Sequence, residues 1–355
     1  MSFVHLPKLT WRHLTTLTLA LVGGWAFHLL HLPLAWMLGA MCATMLAALL
    51  ELPVVARTRP MRPPFAAILG VTLGATFRPS ALPQGQSLAV LLIAITVSTL
   101  LCGFAGYQYL RRIAKFDPIT AYFAAMPAGL QEMALQGGQA GGDERRIALI
   151  HACRVSLLVL VVPLTYGLIY HIDSQKTPLM TRTASDIASG DWLWLAALIV
   201  VGWGVARKLD MPNAPMIGPL LLSASVHLLG WTEASPPHIL IVIAQVVIGS
   251  ALGSNFVETR WAVLWQSLRH GLVLVPILCG VCLSVAIVAA SLVGQSFGVV
   301  FLTLAPGGTT EMSLIALALH ADVALVVSSQ LIRILLVNLG ATSLFRLRQT
   351  RRGSS

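Results

Sequence analysis

Two short motifs hold most of the chemistry in this chain. Pro127-x-Gly129-x-x-Glu132-Met133 and Pro306-x-Gly308-x-x-Glu311-Met312 each set a carboxylate just after a proline and a glycine, inside an otherwise apolar stretch. A carboxylate in a lipid-length segment costs at least about 2–3 kcal/mol unless it has a partner, a proton or an ion. Glu132 and Glu311 are therefore candidates for coupling protons or a cation. The alternative is that each accepts amides at the start of the helix after the break. A lone arginine follows each motif, Arg154 and Arg333. Guanidinium holds carboxylate or phosphate bidentately, so the pair reads as an anion clamp; the alternative is an ion pair with a glutamate. Gln131, Thr309 and Thr310 add neutral hydrogen-bonding groups, and Gly129 and Gly308 allow close backbone approach. Pro127 and Pro306 should interrupt a helix. Thr76 and Asn255 are weaker cavity candidates.

The elements that must position these residues are membrane helices. The chain has 355 residues, 57% hydrophobic and 10% charged, with a mean hydropathy of +0.82. A soluble domain carries about a quarter charged residues. The apolar residues fall in lipid-length runs, 14–30, 34–50, 65–80, 87–109, 119–142 and 147–170, then 192–208, 214–231, 238–256, 271–294, 298–320 and 324–345. This composition excludes a soluble enzyme, a soluble DNA-binding protein and a disordered tail. The net charge of +10 comes from basic residues placed singly or in pairs between runs, which read as topology signals and not as a nucleic-acid surface. The first run lacks a small-residue cleavage pattern and reads as a retained helix. The five cysteines all lie in apolar runs and read as small buried hydrophobes. Cys279-x-x-Cys282 resembles a redox or metal pair, but no histidine is near. The scattered histidines form no copper or iron ligand set, so no metal, cofactor or catalytic residue is expected.

The motifs belong to a duplication. Shifting the sequence by 179 residues sets Gly23 on Gly202, Pro33 on Pro212, Met37 on Met216 and Gly39 on Gly218. The same shift sets Gly70-x-x-Leu73-Gly74-x-x-Phe77 on Gly249-x-x-Leu252-Gly253-x-x-Phe256, and both P-x-G-x-x-E-M motifs coincide. Asp143 falls on Asp322 and Arg154 on Arg333, whereas His151 falls on Gln330. Apolar chains match Leu to Leu by chance, but not Pro, Glu, Asp and Arg in one register. The division is a first membrane repeat (1–170), a polar linker (171–191) and a second membrane repeat with a basic tail (192–355).

Charge placement decides between two topologies. If all twelve runs cross, Arg207, Lys208, Arg260 and Arg269 lie opposite the N-terminus, against the positive-inside rule. If 119–142 and 298–320 instead enter and leave on one side, Lys8, Arg12, Arg57, Arg59, Arg62, Arg111, Arg112, Lys115, Arg145 and Arg146 all fall inside. Arg207, Lys208, Arg260, Arg269 and the tail from Arg346 to Arg352 then join them, and only Arg78 is misplaced. Each half becomes five crossings plus a re-entrant segment, and the odd count inverts the second half. The expected fold is an all-α polytopic membrane protein. It has two inverted repeats of about five transmembrane helices, each with a broken or re-entrant segment. Both termini are expected in the cytoplasm. Inverted repeats whose broken helices meet near the midplane are a transporter pattern.

The doubled P-x-G-x-x-E-M motif, the glycine segments ahead of it and the arginine behind it resemble the bacterial inner-membrane AbrB family, also called the membrane AbrB duplication family. The resemblance spans nearly the whole chain and implies an inner-membrane location. Family members carry two labels, ammonia monooxygenase and regulator of gene expression, and neither supplies a mechanism. Nothing here resembles the small β-rich DNA-binding regulator of the same name. The first motif has Ala128 where the second has Gly307. The leading expectation is a secondary transporter for a small anionic solute driven by protons or sodium. A sensor or regulator of gene expression is the alternative, and a membrane monooxygenase ranks last. The expected partners are the lipid bilayer and the solute with its coupling ion, with no nucleic acid; a homodimer is compatible with the sequence.

Overall fold

The computed structural model describes residues 10–32, 34–52, 55–77, 85–170, 189–257, 261–319 and 321–352. Lys8, Pro33, Arg78, Arg260 and residues 171–188 of the expected linker lie outside the described residues. Among the described residues the fold is all-helical, with no strand. The helices are α1 (Trp11–Leu29), α2 (Ala35–Leu49), α3 (Arg62–Gly74), α4 (Gly85–Gln108), α5 (Pro118–Ala125), α6 (Leu130–Gln139) and α7 (Glu144–Tyr170). They continue as α8 (Ser189–Lys208), α9 (Ala214–Leu228), α10 (His238–Gly253), α11 (Trp261–Val293), α12 (Phe297–Leu304), α13 (Thr309–Ala318) and α14 (Val323–Arg352). A π-turn, Tyr109–Ile113, extends α4.

Among the described residues, five helical segments are long and apolar enough to cross a bilayer: Ala89–Ile113, Glu144–Thr165, Gly190–Lys208, His238–Phe256 and Trp265–Val293. The runs at 34–50, 65–80 and 214–231 give shorter helices, with 15 residues in α2, 13 in α3 and 15 in α9. At 1.5 Å per residue these reach about 20–23 Å, short of a hydrocarbon core of about 30 Å.

The helices fall into two compact units. One comprises Met1–Leu82, Val159–Trp261 and Ser313–Ala324; the other Pro83–Leu158, Ala262–Met312 and Leu325–Ser355. Each draws on both halves of the duplication. In the first unit α1 packs on α2 and α8 on α9, while α3 packs on α9 and α10 on α2. The last two contacts exchange partners between the repeats. A Cβ on Gly70 would strike the Met216 carbonyl, and one on Gly249 would strike the Met37 carbonyl. Gly74 likewise lies against Leu220, Ser223 and Ala224, and Gly253 against Met41, Thr44 and Met45. These positions correspond pairwise under the duplication. Without side chains, the backbones approach closely enough for dispersion contacts along the whole seam. Ser223 Oγ also donates to the Val71 carbonyl at 3.0 Å.

In the second unit α5 and α6 form an antiparallel hairpin. Thr120 Oγ1, at its entry, accepts the Asp143 amide at its exit at 2.8 Å, and Gly137 packs on Phe123 further in. The chain therefore enters and leaves this hairpin at one end. The basic residues gather there: Arg111 donates to the Phe116 carbonyl at 3.0 Å, Arg146 lies over the Phe116 ring at 5.6 Å, and that ring meets His270 edge-on, next to Arg269. Helices α4 and α11 occupy the same place in the duplication and run antiparallel. Cys102 lies against Cys282, Gly106 against Leu274 and Tyr109 against His270.

Gly70→Ala or Gly249→Ala should lower stability in detergent by about 1–3 kcal/mol, because the new methyl meets backbone that cannot move aside. Gly204→Ala, which faces open space, is the control. Melting of the purified variants measures this.

Candidate functional site

The first break is built by local sequence. Asp117 Oδ1 caps α5, accepting the amides of Ile119 and Thr120 at 3.1 and 2.9 Å, with Pro118 at the first helical position. Its carboxyl sits below the ordinary range: burial alone would raise it, but hydrogen bonds from Thr120 and Ile119 outweigh that. The helix ends at Ala125 because Met126 turns extended (φ −64°, ψ 130°) ahead of Pro127. Chain direction resumes at Gly129, and α6 begins at Leu130. In the second motif α12 ends at Leu304, Ala305 takes the same extended conformation (φ −59°, ψ 130°), and α13 begins at Thr309.

Ending a helix leaves its last carbonyls without partners, and in an apolar interior each must find a donor. The two arginines supply them. Arg154 is 1% exposed and donates from Nη1 to Met126 O at 3.0 Å and from Nη2 to Ala128 O at 3.3 Å. Arg333 is 2% exposed and donates to Ala305 O and, at 2.7 Å, to Thr303 O. Met126 and Ala305 are duplicates, so the same bond is made twice. The guanidinium charge also lies at the C-terminal, negative end of a half-helix dipole. Between the two expected roles of the arginines, clamp or ion pair, the structure inserts a third, a cap on broken backbone. It does not exhaust their donors, since Arg154 Nε is buried with no hydrogen-bond partner.

Sequence reasoning passed over His151 and Gln330. His151 Nε2 lies 3.0 Å from Phe123 O, and its Nδ1 lies 3.0 Å from Arg154 Nη2. A carbonyl only accepts and a guanidinium only donates, so the ring is neutral with its proton on Nε2. Gln330 does the same work with an amide: Nε2 donates to Leu302 O and Ala305 O, both at 3.4 Å, and Oε1 accepts from Arg333 at 3.0 Å. Phe123 and Leu302 are duplicates as well. The available signal was the shared offset, which aligned a histidine with a glutamine that presents the same donor and acceptor. Asp143 accepts the Arg146 amide at 3.0 Å and pairs with the Arg146 side chain at 3.2 Å at the start of α7.

Glu132 and Glu311 stand at the third position of α6 and α13, and each curls back over the glycine that precedes its helix. A Cβ on Gly129 would collide with Glu132 Oε2, and one on Gly308 with Glu311 Oε2. The glycines therefore make room for the carboxylates. The carboxyl groups sit at the N-terminal, positive ends of the second half-helices. The copies differ in exposure: Glu311 is 2% exposed, whereas Glu132 is half-buried. Thr309 and Thr310 are buried beside Glu311, and Pro127 and Pro306 are buried at the two breaks. Gln131 is the second residue of α6; its side chain lies outside the described residues.

The two breaks converge. Arg154 and Arg333 lie within Coulombic range of each other, and the Cys102 thiol lies within range of both. Cys282 Sγ donates to Leu304 O, the last carbonyl of α12, at 3.1 Å. Among the described residues no three His, Cys, Asp or Glu side chains are grouped as metal ligands. This doubled arrangement covers the motif by which the sequence resembles a known family, and the profile described as "Transition state regulatory protein AbrB" matches residues 36–349. The chain belongs to the AbrB family. It is 28% identical over 350 residues to YhjN of Bacillus subtilis (strain 168), covering 90% of this chain and 89% of that protein. It is 26% identical over 352 residues to a protein of Escherichia coli (strain K12) named "Putative regulator AbrB", covering 96% and 97% respectively. Both matches extend over nine-tenths or more of this chain.

Two outcomes follow for stability. His151→Gln should leave melting unchanged, because Gln330 already makes the equivalent bonds, while His151→Leu should cost about 2–3 kcal/mol through the stranded Phe123 carbonyl and Arg154 donor. Arg333→Met should cost more, about 3–5 kcal/mol, and Arg333→Lys should restore little of it, since an ammonium cannot span two carbonyls. Thermal melts in detergent at fixed pH read both series.

Proposed function

We propose that this protein is a membrane carrier for a small anionic solute, coupled to protons or sodium ions. One observation carries the proposal. Each copy of the duplication interrupts a helix, caps the broken carbonyl end with a buried arginine and covers the new amide end with a carboxylate. Interrupted backbone at membrane depth is tolerated where protein buries it or a watery cavity meets it. The half-helix ends there are the groups that bind ions in carriers.

Two features support an inverted arrangement. Helices α4 and α11 are duplicates and pack antiparallel. The α5–α6 hairpin returns to the end where it entered, with Arg111, Arg112, Arg145 and Arg146 at that end, as a re-entrant segment inside the positive-inside rule requires. A full crossing would separate those pairs. In this reading both termini lie in the cytoplasm of a bacterial cell and the helices span its inner membrane. Glu132 and Glu311 exchange a proton or sodium ion as the two halves alternate. Arg154 and Arg333, held by carbonyls, provide fixed positive charge that favours an anion, and the unpaired Arg154 Nε is the donor left for it. Gln131, Thr309 and Thr310 complete the polar lining.

Uptake of candidate organic acids into proteoliposomes tests the proposal. Wild-type protein should accumulate one of them under a proton or sodium gradient. Glu311→Gln and Glu132→Gln should lower uptake at least tenfold or abolish its pH or sodium dependence. Unchanged uptake with unchanged ion dependence removes the coupling role. The name of the E. coli relative favours a second reading, a membrane regulator of gene expression. In that case a cytosolic partner captured through the basic tail, in protein that moves no solute, is the expected result.

A further inference from the structure

The spacing of Cys279 and Cys282 draws attention to one helix, but the structure pairs Cys282 with a different cysteine. Cys102 Sγ and Cys282 Sγ are 3.6 Å apart, one on α4 and the other on α11. Cys102 is 1% exposed and Cys282 is fully buried. The two are one position out of register in the duplication, so they meet where the two copies of this helix cross. Neither cysteine is oxidised here. The pair is not isolated packing. Cys282 donates to the carbonyl that ends α12, next to those held by Arg333, and the Cys102 sulfur lies in the field of both buried guanidiniums. Cys279 lies one helical turn from Cys282 and within electrostatic range of both sulfurs.

We propose that Cys102 and Cys282 form a redox-active dithiol that closes to a disulfide joining α4 to α11, with a small hydroperoxide as oxidant. A thiolate is the nucleophile in such chemistry, and the guanidiniums are the counter-charges available to it. The Cys102 sulfur attacks the O–O bond of hydrogen peroxide, forming a sulfenic acid and releasing hydroxide, which takes up the thiol proton as water. The Cys282 sulfur then displaces the sulfenic oxygen, which leaves as a second water with the Cys282 proton. Two electrons pass from sulfur to the peroxide oxygens. The sulfurs must close from 3.6 Å to a bond of about 2.05 Å. That pulls α4 against α11 and takes the S–H away from Leu304 O, at the mouth of the second break. Oxidation should thus stiffen the site, and its effect on flux rests on the carrier reading above.

The test treats full-length protein in detergent with hydrogen peroxide, denatures it and labels free thiols with maleimide. Two of the five cysteines should become unreactive, and digestion should yield one reducible crosslink containing Cys102 and Cys282. Cys102→Ser and Cys282→Ser should abolish it, and Cys279→Ser should leave it intact. Five reactive thiols after treatment, or a crosslink through Cys279, overturns the proposal. In proteoliposomes, peroxide should slow uptake several-fold in the wild type, reversibly with a dithiol reductant, and leave Cys282→Ser unaffected. Full uptake by crosslinked protein overturns the effect on flux. A lack of uptake in untreated protein overturns the carrier reading and leaves the disulfide standing.

Discussion

A backbone carbonyl in an apolar medium must have a donor, and in this protein two buried arginines lead the donors at the severed helix ends, joined by His151, Gln330 and Cys282. A carbonyl left bare would cost a few kcal/mol, and each break exposes several. Water could satisfy them only if the site were wet in every state. Arg154 and Arg333 remove that condition: each binds two carbonyls of its own break, and its charge opposes the half-helix dipole. The cost of burying a guanidinium is offset by four or so good bonds per break, once His151 and Gln330 are included. With the carbonyl ends closed, the amide ends of α6 and α13 face the carboxylates that curl back over Gly129 and Gly308.

The duplication repeats this device with small differences. The bond to Met126 and the bond to Ala305 are the same bond. A histidine on one side does the work of a glutamine on the other. Glu311 is buried where Glu132 is half-buried, and Ala128 stands where the second copy has Gly307. The two copies thus share one plan and differ in exposure. The other unit serves a different purpose. Its glycines exchange partners, Gly70 with the helix of Met216 and Gly249 with the helix of Met37. Close backbone contact of this kind resists deformation, because no side chain can rearrange to absorb a shift.

Much of the architecture was legible in the chain because membrane proteins obey few rules strictly. Run lengths announce helices, and Pro-x-Gly in an apolar run announces a break. Duplicated glycines, prolines, glutamates and arginines fell into one register because both copies solve the same backbone problem. The hairpin that enters and leaves at one end matches the expectation drawn from the placement of the basic residues along the whole chain. What did not follow was which residue serves which. Arg154 and Arg333 read as an anion clamp or as partners of a glutamate, and they bind backbone carbonyls instead. Cys279 and Cys282 looked like a pair by spacing, yet the sulfur nearest Cys282 belongs to Cys102.

By itself the sequence determined the long apolar helices, the duplication and the two interrupted segments, since each is written in local composition and in spacing along one chain. Tertiary structure alone decided that the arginines cap carbonyls, that the glutamates fold back on glycines 129 and 308, that His151 and Gln330 are equivalent, and that two distant cysteines meet. Those outcomes depend on which donor reaches which acceptor at about 3 Å, and a buried polar group takes the nearest satisfactory partner in space, whatever its distance in sequence.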